Sequence, residues 1–499
     1  MTLGRRILRA LGPVRWLVGL VRRAYAGAAR DTRTLGWRTS GKSGNAETRD
    51  ALPLLRERAH DLVRNQPHAR QAIGRWVDFV VGSGITGKVR TGPTAAAVAR
   101  ANALWAVWQD EPGADGCADF GSVMRRAVWA MLEGGDALVL MRWARAPGAS
   151  GVPLLLQVLE SEHLCPTVDA LAGVPNTVQG VERDALGRTV AFHVYAEHPG
   201  EVGQTGGLMV KTIRYSAANA VHLVDAGSMR PGQVRGVPLL APVVRELRDL
   251  ADFVEAETAK AQAAACLGLV VTSPNGDYTP DGRKPEVGVN PTAVRDAGGN
   301  VVEQLQPGGI LYTTPDTTVT TVQPAATSGT AEFIRSRLQA VAAGVGMPYE
   351  LLTGDLSGAN YSSYRAGYLP FRVRVESLQW QVVVPACRRV GARFIEAAVA
   401  AGLLPAGDYG WDWTPPRMPE IDRAKELAAD LVEARMLRVS TDELIRRNGD
   451  DPDAVLAAVV AWNAKADAAG LVSDADPRKT TNGGMFQAAP ADPAGGKAW

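Results

Sequence analysis

Apolar positions recur at helical spacing along much of the chain, and two stretches set the pattern. Over about 328–345, Ile334, Leu338, Val341 and Val345 fall at steps of four, three and four, which predicts a helix. Over about 371–401, Val373, Val375, Leu378, Val382 and Val383, then Val390, Phe394, Ile395 and Val399, predict a longer one. A kink is expected at Pro385, which lacks an amide proton. Between the two, residues 346–366 (GMPYELLTGDLSGANYSSYRA) break the period. Gly346, Pro348, Gly354 and Gly358 interrupt helix, and Asn360, Tyr361, Ser362 and Ser363 gather hydrogen-bonding side chains. Either this is an ordinary connection whose second helix is capped by Asn and Ser, or it is a polar segment with a task of its own.

The remaining elements follow from the same two periods. Residues 36–50 read as a polar linker, and 52–80 as helix, with Pro53 in its first turn and Pro67 breaking it in two. Further helices are predicted at 94–108 and from Phe120 to Leu132. The period then falls to two in short segments at 137–141, 154–158, 189–194, Met209–Ile213 and Val221–Leu223, a β-rich lobe. A helix from 238 to 266 carries Leu240, Val243, Leu247, Leu250 and Val254 on one stripe and ends rich in alanine. It is followed by an insert with short strands at 269–271, 301–305, 308–312 and 318–322. Residues 410–416 (GWDWTPP) read as an irregular Trp-rich crossing. Three helices follow: one from Glu420 to Met436, one capped by Ser440 with Glu443, and one opened by Asp451 and Pro452. From 473 onward Pro, Gly, Ala and polar residues predict disorder. The fold class is α+β.

Composition narrows the function classes. In 499 residues, 54 Lys and Arg face 52 Asp and Glu, a net charge of +2, so bulk charge does not signal nucleic acid. It does not exclude it either, because a surface past which DNA slides must not hold many phosphates tightly. The first 33 residues are the exception, with eight arginines against Asp31. This arm reads as a terminal helix, a contact to DNA or protein, or, least favoured, a helix at a membrane surface. Its longest apolar run, near Trp16–Val21, is too short to span a membrane. Cys117, Cys165, Cys266 and Cys387 stand singly, which suits a reduced compartment.

Candidate chemistry is sparse. Gly82, Gly87 and Lys88 match most of a phosphate loop, but Val89 replaces the magnesium-binding Ser or Thr and a helix precedes the run. Gly82 and Gly84 read better as a tight exit from that helix. His163, His193 and His198 have no partners at ligand spacing. Ser362 and Ser363 lack a GxSxG setting and a nearby histidine. Glu350, Asp355 and Tyr361 are three oxygen donors in a turn, a common arrangement. The reading is of no catalytic residue, no cofactor and no metal: a structural part, not an enzyme.

Several short runs together resemble the portal proteins of tailed bacteriophages, specifically the lambda-type family. They are Asn65 with His68-Ala69-Arg70, leading to Val81-Gly82-Ser83-Gly84-Ile85; Arg235-Gly236-Val237-Pro238; Gly346 to Leu352 followed by Asp355; and Asn360-Tyr361-Ser362-Ser363 with Arg365. The resemblance covers roughly 15–460, and Tyr364 is bulkier than the family's usual residue there.

The resemblance implies a ring, commonly of twelve subunits, at the portal vertex of the virion, assembled in the host cytoplasm. Double-stranded DNA enters and leaves through its channel. The ring would meet the terminase large subunit, the major capsid and scaffold proteins, and the head–tail connector. Hydrolysis of ATP would belong to terminase. On this chain it implies a basic arm and linker (1–49), helices and a β-rich wing (50–235) and a first stem helix (236–266). A clip-like insert (267–327), a second stem helix (328–345) and a tunnel-loop region with a long wing helix (346–404) follow. A helical wing or crown (405–472) and a tail (473–499) complete it. Asn360, Tyr361, Ser362, Ser363, Arg365, Arg372 and Arg374 are the candidate channel or intersubunit contacts. A different connector or adaptor of the particle is the alternative, and a DNA-processing enzyme the alternative from another class.

Overall fold

The computed structural model describes residues 39–472, with breaks at 117, 146–147, 202–210, 420–421 and 449, and a few isolated positions outside that span. Between 267 and 328 it describes only the backbone of short strands. The basic arm, nearly all of the tail and the strand expected at 318–322 lie outside the described residues.

The chain opens with two helices, α1 (Gly44–Asn65) and α2 (Pro67–Val80), parted at Pro67 as its missing amide requires. Helix begins inside the stretch expected to be linker, because Ser43 caps it by accepting the Ala46 amide at 3.3 Å. Asn45 also ties the start to the body, donating to the Gly232 carbonyl at 2.9 Å and accepting the Val234 amide at 2.8 Å. Pro53 therefore sits inside α1 and not in its first turn. Strand β1 (Thr86–Thr91) and helices α3 (Ala95–Trp108) and α4 (Phe120–Gly134) follow. Gly82 and Gly84, at φ +52° and +123°, make the tight exit from α2.

The β-rich lobe holds two antiparallel sheets. Strands β2 (Asp136–Trp143), β3 (Leu154–Leu159) and β8 (Ala220–Val224) pair in the order β3-β2-β8. Strands β4 (Thr177–Val178), β5 (Val181–Arg183), β6 (Thr189–Tyr195) and β7 (Thr212–Ser216) pair in sequence order. The strand expected at Met209–Ile213 is thus β7, displaced toward the C-terminus. Strand β2 is apolar on both faces because it separates two cores. Val139 and Met141 join the larger one, built with α1–α4, and Leu138 and Leu140 join a smaller one with Leu164, Val181 and Phe192.

Beyond the lobe, a 3-10 turn at Ala241–Val243 leads into α5 (Val244–Cys266), so the helix starts later than 238. Pro238 and Pro242 keep the chain out of α-helix until then. Strands β9 (Leu267–Thr272), β10 (Val294–Arg295), β11 (Val301–Val302) and β12 (Gly309–Thr313) fall in the insert. Strand β9 pairs with β12 in parallel, and β10 with β11 in antiparallel. Helix α6 (Thr330–Gly344) returns beside α5, with the Phe253 and Phe333 rings 4.8 Å apart and Arg337 bonded to Glu246 at 2.9 Å.

The short α7 (Tyr349–Thr353) precedes α8 (Tyr361–Leu378), which starts ten residues before the expected 371. A π-helical turn at Gln379–Val383 joins it to α9 (Val384–Ala400), in whose first turn Pro385 lies. There the Gln379 amide donates to the carbonyls of Phe79, Val80 and Pro416 at 3.3, 3.1 and 3.0 Å. The Trp-rich crossing is a strand, β13 (Gly410–Thr414), antiparallel to β1. Its indoles make it one: Trp411 and Trp413 lie 4.8 and 5.6 Å from Trp105 in an aromatic cluster with Phe120 and Phe394. Gly87 sits opposite Trp413 because a Cβ there would lie 2.4 Å from the indole. The chain continues as α10 (Arg423–Arg435), α11 (Thr441–Arg447) and α12 (Pro452–Ala468). Ser440 accepts the Glu443 amide at 3.1 Å, and Asp451 caps α12, as the sequence predicts.

Candidate functional site

The strongest polar construction in the described residues is the joint where the helix pair meets the body. Asp136, the first residue of β2, is fully buried, and so is Arg235, just ahead of α5. Arg235 Nε donates to Asp136 Oδ2 at 2.6 Å and Nη2 to Oδ1 at 3.1 Å, a bidentate pair. The same guanidinium donates to the carbonyls of Ser161 at 2.7 Å and Gln179 at 3.2 Å. Arg56 of α1 approaches Asp136 at 3.4 Å, His222 of β8 at 3.2 Å, and Ser161 also donates to it. Burial alone would raise the carboxyl pKa, but the Arg235 charge, the His222 hydrogen bond and the Arg56 charge outweigh it. Asp136 is held well below the ordinary carboxylate range. Burial lowers Arg56 to about 10, with Arg235 adding to the effect.

Next to this pair two backbones touch. A Cβ on Gly236 would lie 1.9 Å from the Gly135 carbonyl oxygen, so no side chain fits there. Leu239 then donates its amide to the Leu132 carbonyl at 2.8 Å. The run Arg235-Gly236-Val237-Pro238 is thus a weld between the sheet lobe and α5. The second helix is rooted close by. Gly344 faces Val243, where a Cβ would meet a methyl at 2.2 Å, and Trp76 Nε1 donates to the Val345 carbonyl at 3.0 Å.

The polar segment 346–366 begins at that root. Asp355 accepts hydrogen bonds from Ser357 at 2.6 Å, Arg335 at 2.8 Å and Tyr349 at 3.1 Å, which together hold its pKa below the ordinary range. The segment is therefore folded back onto α6. Asn360 and Ser363 form a reciprocal capping box: Asn360 Oδ1 accepts the Ser363 amide at 2.8 Å, and Ser363 Oγ accepts the Asn360 amide at 3.1 Å. Asn360 and Ser363 thus cap the second helix of this connection. Tyr361 and Ser362 are exposed, and the Lys425 ammonium lies 5.1 Å from the Tyr361 ring centroid. Tyr364 stacks on Tyr368 at 5.9 Å, which accommodates its bulk.

The three arginines have separate partners. Arg365 donates to the Tyr361 hydroxyl at 3.3 Å. Arg372 pairs with Glu376 at 2.8 Å, one turn away, and Arg374 with Asp225 at 2.5 Å, which fastens α8 to the lobe. Asn360, Tyr361, Ser362, Ser363 and Arg365 thus lie at the start of α8, whereas Arg372 and Arg374 lie in its second half, and the seven candidates do not form one cluster. What the sequence reading left out is Asp136, Arg56 and His222. The signal was slight: an acid placed directly after the Gly134-Gly135 stop and before an unbroken apolar strand.

Elsewhere, His60 bridges Glu133 at 2.7 Å and Glu162 at 3.1 Å, and these hydrogen bonds raise its pKa to about 10. Glu160, Glu162 and His198 bring ligand-type atoms within 4.8 Å of one another. His198 Nδ1, however, accepts the Gly200 amide at 3.1 Å, which leaves the proton of the neutral ring on Nε2, facing Glu160. A metal-bound imidazole needs the reverse arrangement.

The joint, the helix pair and the polar segment all fall within 30–379, the span matched by the family model for phage portal proteins of the lambda family. The chain belongs to that family. Among curated portal relatives, a probable portal protein of Halomonas phage phiHAP-1 is 24% identical over 319 residues, covering 60% of this chain and 58% of the relative. The chain thus matches less than two thirds of that portal protein's length. Among solved structures, the neck of a native GTA particle computed with C12 symmetry aligns with a TM-score of 0.38 and 15% identity, over 79% of this chain and 94% of that one. The neck of an empty GTA particle computed with C6 symmetry gives 0.37 and 17%, over the same shares.

Proposed function

We propose that this chain is the subunit of a portal vertex, a ring of about twelve copies through whose channel double-stranded DNA is packaged and later ejected. Its role is structural and not enzymatic. Its place is the virion, after assembly in the host cytoplasm, where it meets the major capsid and scaffold proteins. The ring also serves as docking platform for the terminase large subunit and the head–tail connector. The observation that carries this reading is the family match, which spans the joint, the helix pair and the polar segment without interruption.

Within it, α5 and α6 are the stem, the insert at 267–327 the clip, residues 50–235 the wing with its helices, and 405–472 wing or crown. The helix pair supports a stem. Its two helices are welded to the body at one end, and Val254 and Phe333 stay exposed on their flanks for neighbouring copies. In the tunnel-loop region, Asn360, Tyr361, Ser362 and Ser363 fix the start of α8. Arg365 is the DNA or intersubunit contact to test first, since among the described residues it pairs with no carboxylate, unlike Arg372 and Arg374.

Electron microscopy of the purified protein tests the ring: closed rings with a central hole are expected, and a monomer under all assembly conditions would overturn it. Binding of the rings to terminase separates a portal from a connector or adaptor. Reversing Arg365, Arg372 and Arg374 together should lower packaged DNA while rings persist. Normal packaging by that variant would remove these residues from the channel.

A further inference from the structure

The partial phosphate-loop motif leaves Lys88 without a part in the reading above. Lys88 and Arg90 stand two apart on β1, Arg90 at a break in the register with β13, and both reach the N-terminus of α12. Lys88 bonds Asp451 and lies 3.3 Å from Asp453. Arg90 lies 3.1 Å from Asp451 and bonds Asp453. Across the ladder from Lys88, Asp412 sits 3.5 Å from Arg90 and 3.4 Å from Arg446 of α11. Asp451 is the N-cap of α12 and Asp453 lies in its first turn, where the helix dipole favours negative charge. Farther along, Arg417 lies 2.7 Å from Asn448, 3.7 Å from Glu426 and 3.6 Å from Asp430.

Apolar burial contributes little at the same contact. Among the described residues, helices α10 and α11 bury none, and α12 buries Pro452 alone. The attachments that remain are charged and partly exposed, and such pairs weaken as salt shortens the screening length from about 8 Å at physiological strength to about 3 Å at 1 M.

We infer that the C-terminal helices α10–α12 dock on the β1–β13 ribbon through a charge latch, Lys88 and Arg90 gripping Asp451 and Asp453, and detach from it as a unit when the latch is screened. The latch goes beyond the portal reading and does not depend on it, since every group in it belongs to one chain.

Hydrogen exchange of the full-length protein, followed by mass spectrometry, tests it. In K88E/R90E the amides of 452–468 should exchange about tenfold faster or more at low salt, while those of β2 keep their protection. In the unaltered protein, exchange of 452–468 should rise toward the variant's rate as sodium chloride approaches about 1 M. The milder K88Q/R90Q should fall between the two. Because the salt series needs no substitution, it decides even if the charge reversal disturbs folding: protection of 452–468 that does not change with salt overturns the latch.

Discussion

The joint at Arg235 and the C-terminal helices are held in opposite ways. At the joint, charge is buried, every partner is fixed, and two glycine backbones meet with no room for a methyl. In α10–α12, charge is at the surface and the apolar side chains face outward: Leu431, Val432, Met436, Leu456, Val460 and Trp462 are about half exposed or more. A buried ion pair tolerates no loss of a partner, whereas surface pairs lose little one at a time. The first region sets geometry within one chain. The second leaves an apolar face that the described residues do not cover.

The contrast can be broken at the joint first. Arg235→Ala leaves Asp136 buried with its main partner gone and should cost about 3–5 kcal/mol, read as a lower urea midpoint. Gly236→Ala should do comparable damage through the contact with the Gly135 carbonyl. Acid probes the same pair. Because Asp136 titrates lower folded than unfolded, its stabilisation is fully present above the ordinary carboxylate range and is lost as pH falls toward its folded value. Thermal melts from about pH 5 downward should show that loss, and D136N should flatten this part of the profile. At the polar segment, Asn360→Ala removes one cap and should cost about 1 kcal/mol, with Asn360→Asp retaining most of it. The smallest effect belongs to the other side of the comparison. Trp462→Ser should change single-chain stability by under about 0.5 kcal/mol, while lowering the ring fraction seen by mass photometry if copies cover that face.

Much of this was legible in the sequence. Helical and strand periods located α2–α4, α6, β2, β3, β6 and β8 because each carries its own apolar stripe or alternation. Capping chemistry marked Ser440 and Asp451, and placed Asn360 and Ser363 at a helix start as one of two readings. Three features were hidden for physical reasons. The start of α1 has a local cap in Ser43, but it is also tied down by Asn45 reaching Gly232 and Val234, a tertiary contact with no local signature. Strand β13 exists because its indoles complete a distant aromatic cluster, and the two prolines after it suggest a loop. Asp136 and Arg235 are 99 residues apart, and only the fold brings them together. Among the candidate contacts, the sequence carried no sign of the partners that engage Arg372 and Arg374, Glu376 and Asp225.

The π-helical turn at Gln379 has a consequence for how the long helix presents itself. One residue inserted into a helical turn rotates everything beyond it by about 100°, since a turn holds about 3.6 residues. Phe371 and Val375 before the turn, and Val390 and Phe394 after it, are all buried, yet they do not belong to the stripe of one unbroken helix. The amide of Gln379, engaged with carbonyls from two other segments, fixes the place of that phase change. Moving the insertion by one turn in either direction would aim four residues differently while leaving both helices intact.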